Sequence, residues 1–147
     1  MSTTTLENAF AADPAGRAAR SRGALWTGRS LSALAVLVLA VDALGKLLQV
    51  APVVAGTTAL GYPASNVLGL GVLLLLCAVA YAIPSTSVLG AVLLTGWLGG
   101  AVAAHARVGD PLLSHTLFPV YVAAFVWGGL FLREARLRTL LPWRSRR

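Results

Sequence analysis

An all-helical membrane protein, built as a bundle of four transmembrane helices, is the fold this chain predicts. Three observations carry that expectation. Charged residues are too few to cover a water-exposed surface, four apolar runs are each near the length of a bilayer crossing, and basic residues gather outside those runs at both ends. Of the 147 residues, 57% are hydrophobic and 12% charged, where a soluble domain carries about 25% charged. With a mean hydropathy of +0.77, a water-facing surface could not be covered with polar groups, whereas a lipid-facing one needs no such cover.

Residues 1–23 are rich in Ser, Thr, Ala and Arg and lack apolar periodicity, so they read as a disordered cytoplasmic tail. A secretory signal peptide is not expected, because the first apolar run begins only near residue 30 and no cleavage site precedes the next long run. Trp26 is a candidate interfacial anchor. The helices are expected at about 30–50, 66–83, 87–108 and 112–132, each close to the roughly 20 residues that span a bilayer. Their apolar runs are continuous rather than alternating, which argues against a transmembrane barrel. Residues 133–147 form a basic C-terminal segment.

The connections differ. Ala51 to Ser65, with Pro52, Gly56, Gly61 and Pro63, reads as a loop long enough to fold over the mouth of the bundle. Pro84-Ser-Thr-Ser87 is a tight turn whose hydroxyls can cap the next helix. Gly109-Asp110-Pro111 is a further breaker. Pro119 either kinks the fourth helix or sits in its first turn.

Charge sets the expected topology. Of twelve Lys and Arg, four (Arg17, Arg20, Arg22, Arg29) precede the first apolar run and six (Arg133, Arg136, Arg138, Arg144, Arg146, Arg147) follow the last. Basic flanks stay cytoplasmic, so both termini are expected inside, after an even number of crossings. The expected location is the cell membrane, plasma or bacterial inner. Charges at the two ends do not make the single basic face that nucleic acid needs, so nucleic acid is excluded as a partner and the lipid bilayer is expected.

In lipid, close backbone approach and dispersion must hold helices together. Gly96, Gly100 and Ala104 lie four residues apart on one face of the third helix and form the expected packing strip. Gly69, Gly71, Gly128 and Gly129 are candidate partner surfaces. Packing within the monomer is favoured over a homodimer face.

Ionisable residues inside a span are costly, about 2.5–3.5 kcal/mol on insertion scales. Asp42 and Lys46 stand one turn apart on the first helix and can pair, and Gly45 between them leaves room for another helix or a ligand. His105 and Arg107 close the third helix, with Asp110 and His115 just beyond. The topology brings all six to one side, so Asp42, Lys46, His105, Arg107 and His115 form the candidate polar pocket. Two readings stay open. In one, these residues are structural ion pairs and caps. In the other, they hold a small molecule or quinone head, with His and Asp exchanging protons near neutral pH. No metal site is expected, because no HxxxH or carboxylate-bridged motif supports the two histidines. Cys77 is the one cysteine and reads as a small buried hydrophobe, so dithiol chemistry within the chain is excluded.

At these residues the chain resembles the DoxX-like family of small membrane proteins. Leu94-Thr-Gly-Trp-Leu-Gly-Gly-Ala-Val-Ala-Ala-His-Ala-Arg107 resembles the family's third helix. Asp42-Ala-Leu-Gly-Lys46 resembles the acidic-to-Lys segment of its first, and Leu60-Gly-Tyr-Pro63 the turn that follows. His115-Thr-Leu-Phe-Pro119, Trp127 and Leu132-Arg-Glu-Ala-Arg-Leu-Arg138 resemble its ending. The likeness covers residues 24–144. After Ile83-Pro84 many relatives are expected to carry a basic residue, and Ser85 stands here instead. The resemblance implies a four-helix membrane fold, and function only loosely. Some relatives are linked to thiosulfate-to-quinone electron transfer, others to membrane redox complexes or to assembly of membrane proteins.

The expected function is therefore an accessory subunit of a quinone-linked membrane redox system, with a membrane or redox protein as partner. It is not expected to be a self-contained enzyme, since it has no dithiol, nucleophile motif or cofactor fingerprint. The alternatives are a non-enzymatic scaffold or assembly factor, and a small-solute transporter.

Overall fold

The computed structural model describes the backbone of residues 14–134 and of Leu137, with side chains from residue 22 onward. Five α-helices and one π-helical turn make up the order. They are α1 (Pro14–Leu47), α2 (Ala51–Ala59), α3 (Ala64–Ala82), α4 (Ser87–Val108), the π turn (Leu112–Thr116) and α5 (Phe118–Arg133). Four stretches are long and apolar enough to cross a membrane: Arg22–Leu47, Ala64–Ala82, Ser87–Val108 and Leu112–Arg133. Most of their surface faces outward as bare Leu, Val and Ala, which only hydrocarbon tolerates. The chain is a multi-pass helical membrane protein.

Three boundaries differ from those expected. The first helix starts at Pro14 rather than near residue 30, so residues 14–23 are helix and not tail, while residues 1–13 lie outside the described part. Its 34 residues extend about 50 Å, well beyond a hydrocarbon core of about 30 Å. An Ala- and Arg-rich run favours helix by intrinsic propensity. Second, the loop expected from Ala51 contains α2, nine residues with Pro52 in its first turn, where proline's missing N–H costs no hydrogen bond. Third, the expected helix from Leu112 is split. Leu112–Thr116 forms the π turn and α5 begins at Phe118. Pro119 lies in the first turn of α5 and introduces no kink. The basic C-terminal segment lies outside the described residues apart from Arg133, Glu134 and Leu137.

The four spans form a ring in which α1 packs on α3 and α5, and α4 packs on the same two helices. The short α2 caps the α1–α3 corner. Tight seams mark the end of the bundle that carries Arg29, the 84–86 turn and Arg133. There a Cβ on Gly129 would stand 2.8 Å from Ser32 N and 2.9 Å from Gly28 O, so α1 and α5 touch through bare backbone. Gly90 does the same for α4 against the backbone of Ala80 and Tyr81. Tyr81, fully buried, donates its hydroxyl to Val126 O at 2.8 Å and accepts from Ser32 Oγ at 2.8 Å. The Arg133 guanidinium lies 4.9 Å from the Tyr81 ring centre and donates to Tyr81 O at 3.2 Å. One phenol thus joins α1, α3 and α5.

The expected packing strip lies elsewhere in the bundle. A Cβ on Gly96 or Gly100 would meet nothing within 4 Å, and both residues are exposed, while Ala104 is buried. The close helix approaches fall instead at Gly28, Gly45, Gly71, Gly90 and Gly129. Spacing on one helix identifies a smooth face but not the neighbour that uses it.

Two substitutions separate these roles. Gly129→Val forces a side chain into the α1–α5 seam and is expected to cost about 1–3 kcal/mol. Gly100→Ala, in open space, is expected to be neutral or to gain up to about 1 kcal/mol of helix stability. Thermal unfolding in detergent measures both, and equal losses would refute the seam.

Candidate functional site

The other end of the bundle, carrying Lys46, Gly61 and Asp110, holds a partly open cavity of about 730 Å³. Every long helix and α2 contribute to its wall, which is mainly apolar. Of the residues expected to form a polar pocket, Asp42, Lys46 and His105 line it. Trp97, Phe118 and Tyr62 add aromatic surface.

Asp42 and Lys46 lie on the inward face of α1, one turn apart, and form an ion pair through Lys46 Nζ and Asp42 Oδ1. The lysine side chain is only 10% exposed, whereas that of Asp42 is 44% exposed. Both side chains border the cavity, the carboxylate the more accessible of the two. The lysine stem fits because α3 has Gly71 opposite. A Cβ there would stand 2.8 Å from Lys46 Cβ and 3.2 Å from Ala43 O. Gly45 accepts a helix rather than a ligand, since Val53 of α2 packs 2.9 Å from where its Cβ would be. Gln49 ends α1 in the left-handed region, φ 53°, and its side-chain amide donates to Lys46 O. This reversal folds α2 back over the pair. Thr57 of α2, buried, satisfies its hydroxyl on Val53 O at 2.8 Å.

His105 stands one turn before the end of α4. Gly109 adopts φ 75°, a conformation glycine takes without steric cost, and turns the chain back so that Asp110 N donates to His105 O at 3.1 Å. The same turn brings Asp110 Oδ2 to 2.6 Å from His105 Nδ1. A carboxylate only accepts, so Nδ1 carries the hydrogen and Nε2 remains as the ring's second polar atom. The π turn then sets His115 edge-on to His105, ring centres 6.2 Å apart. Its Nδ1 is 2.8 Å from Ser114 Oγ. His115 is exposed and stands behind His105 rather than on the cavity wall.

Arg107 also lies outside the cavity. It points away from His105 and donates through Nη2 to Leu60 O, lying over Gly61, whose φ is 86°. Positions 105 and 107 face different sides of a helix, so the histidine turns inward while the arginine ties α4 to the α2–α3 turn. Cys77 is buried and borders the cavity as well. Tyr62, Trp97 and Cys77 carried no signal of their own for the site. Helical phase shared with Leu70 and Leu73 sets Cys77 on its wall, phase shared with Gly96 and Gly100 sets Trp97 there, and Tyr62 reaches it from the turn before α3. No cluster of three or more His, Cys, Asp or Glu able to hold a metal occurs among the described residues.

The Asp42–Lys46 pair has a measurable signature. Asp42→Asn leaves the Lys46 ammonium without its carboxylate and is expected to cost about 1–3 kcal/mol, less than a fully buried pair because Asp42 is partly exposed. Lys46→Met alone is expected to cost less, and the double variant Asp42→Asn/Lys46→Met to recover about half the loss. Purely additive losses in a double-mutant cycle would show the pair uncoupled.

Neither the curated proteins nor the solved structures include a match to this chain. The model of the DoxX-like family matches residues 30–129. That span runs from the first membrane crossing through the cavity to the Gly129 seam, and takes in Asp42, Lys46, His105 and Arg107. With the helical membrane architecture and a family match over well more than half its length, the chain belongs to the DoxX-like family.

Proposed function

We propose that this protein holds the head of a quinone-like molecule in the cavity and serves a membrane redox partner as an accessory subunit. One observation carries the reading: a carboxylate paired with a lysine, and an imidazole, stand on the wall of a mainly apolar, aromatic-lined space of about 730 Å³. Cavities of about 300–1,000 Å³ with a few convergent polar groups suit small-molecule ligands. The donor set fits a quinone. Trp97, Phe118 and Tyr62 offer faces for a flat ring. His105 Nε2 and Asp42 offer hydrogen-bonding and proton-exchanging groups for its oxygens. When bound, a quinone takes up two electrons and two protons.

In this reading the chain's own residues bind and manage protons, while the electrons come from an oxidoreductase partner. Lys46 holds the Asp42 carboxylate in place beside the ring. Asp110 holds His105 in one tautomer, and His115 links that ring toward the exposed surface. We place both basic ends in the cytoplasm by the positive-inside rule, so the cavity faces the outer side of a cell membrane.

A second reading has its own support. Gly96, Gly99 and Gly100 present a smooth face with no neighbour within 4 Å of their Cβ positions. Another membrane protein could dock there, which would make the chain a scaffold or assembly factor.

Equilibrium binding of a fully substituted benzoquinone with a decyl chain to detergent-purified protein distinguishes the two. The expected result is saturable binding, weakened about tenfold or more by Asp42→Asn and by His105→Ala, as loss of one buried hydrogen bond implies. Bound probe is also expected to slow alkylation of Cys77 by a membrane-permeant maleimide. Well-folded wild-type protein that binds no probe would defeat this reading and leave partner docking.

A further inference from the structure

The cavity does not close all the way round. Gly96 and Gly100 of α4 border it, as do Leu73 of α3 and Leu93 of α4. All four are exposed, Leu73 at 51% and Leu93 at 45%. Leu73 lies at the middle of Ala64–Ala82, and Gly96 and Gly100 flank the middle of Ser87–Val108. The gap therefore sits at a depth that hydrocarbon occupies rather than water. Asp42, Lys46 and His105 lie nearer the ends of their helices, so the polar groups and the gap occupy different levels of one space.

Neither glycine has the usual structural reason to be glycine. Both have ordinary helical backbone, since only Gly61 and Gly109 among the described glycines have positive φ. Neither makes a close helix contact, unlike Gly28, Gly71, Gly90 and Gly129. Glycine within a helix costs stability relative to alanine. What two missing side chains provide here is free width at the gap.

We propose that this gap is a lateral portal, and that the ligand is an amphiphile with a hydrocarbon tail. Its ring lies at Asp42 and His105, and its tail leaves over Gly96 and Gly100 into the bilayer. The proposal rests on the reading of the cavity as a ring-binding site and adds the ligand's second half and its route. A molecule dissolved in the membrane reaches this opening without crossing water. The tail keeps its hydrocarbon surroundings throughout, so only the head is transferred to the protein.

The test compares two probes on purified protein: the decyl-chain benzoquinone, and the same head with a methyl group in place of the chain. Wild type is expected to bind both, the tailed probe more tightly. Gly100→Leu and Gly96→Leu fill the gap and are expected to weaken the tailed probe about tenfold or more while changing the methyl probe less than about twofold. Asp42→Asn is expected to weaken both. Leucine variants that leave the tailed probe unaffected, or weaken both probes alike, overturn the portal while the ring site stands. Failure of wild type to bind either probe overturns the ring site and the portal with it. Elution profile and melting temperature confirm folding. Should the leucine variants misfold, Gly100→Cys in a Cys77→Ser background replaces them. There the tailed probe is expected to protect the introduced thiol from a lipid-dissolved maleimide and the methyl probe is not, and equal protection overturns the portal.

Discussion

Hydrocarbon offers neither water nor counter-ions, and Lys46, only 8% exposed inside the bundle, has to be accommodated under that constraint. Its partner is Asp42 one turn earlier, so one face of α1 carries both charges and that face must turn inward. Much of the remaining architecture follows. With α1 so oriented, α3 must come close beside the lysine stem, which requires Gly71. The helix α2 must fold over the pair, which requires the reversal at Gln49 and the small Gly45 for Val53 to rest on. The carboxylate is left facing inward, and the space before it is the cavity.

The two ends of the bundle are held by different means. At the Arg133 end, glycines let backbones touch and the buried Tyr81 hydroxyl bonds to both α1 and α5. Dispersion over such close seams, with the Tyr81 hydroxyl satisfied on both sides, makes a firm base. At the cavity end Gly71 keeps α3 close to α1 beside Lys46, and struts hold the other sides. Arg107 ties α4 to the α2–α3 turn, and Trp127 Nε1 donates to Thr95 Oγ1 at 2.9 Å lower down. A closed base with a braced open end lets a small bundle keep an internal space without collapsing around it.

This arrangement divides the polar residues by task. The Asp42–Lys46 pair is internal and fixed by packing. The His105–Asp110 pair is at the rim and fixed by the left-handed turn at Gly109. Arg107, which the resemblance sets beside His105 in sequence, braces the frame from outside.

Much of this was legible in the residues alone. Composition, the length of the apolar runs and their breakers determine a four-span helical membrane protein, because the bilayer permits few other ways to satisfy a backbone. The i, i+4 spacing of Asp42 and Lys46 determines their pairing, since that contact is local. The family likeness was also readable from ordered short motifs. Contacts between distant segments were not. Nothing local in Gly96 and Gly100 tells a packed seam from an open gap, and nothing in Ala51–Ala59 announces a helix across a Pro- and Gly-bearing stretch. That His105 turns inward while Arg107 turns away follows from where α4 sits in the ring. The cavity itself is a property of the assembled helices, set by how far apart neighbouring side chains hold them, and only the tertiary structure decides that distance.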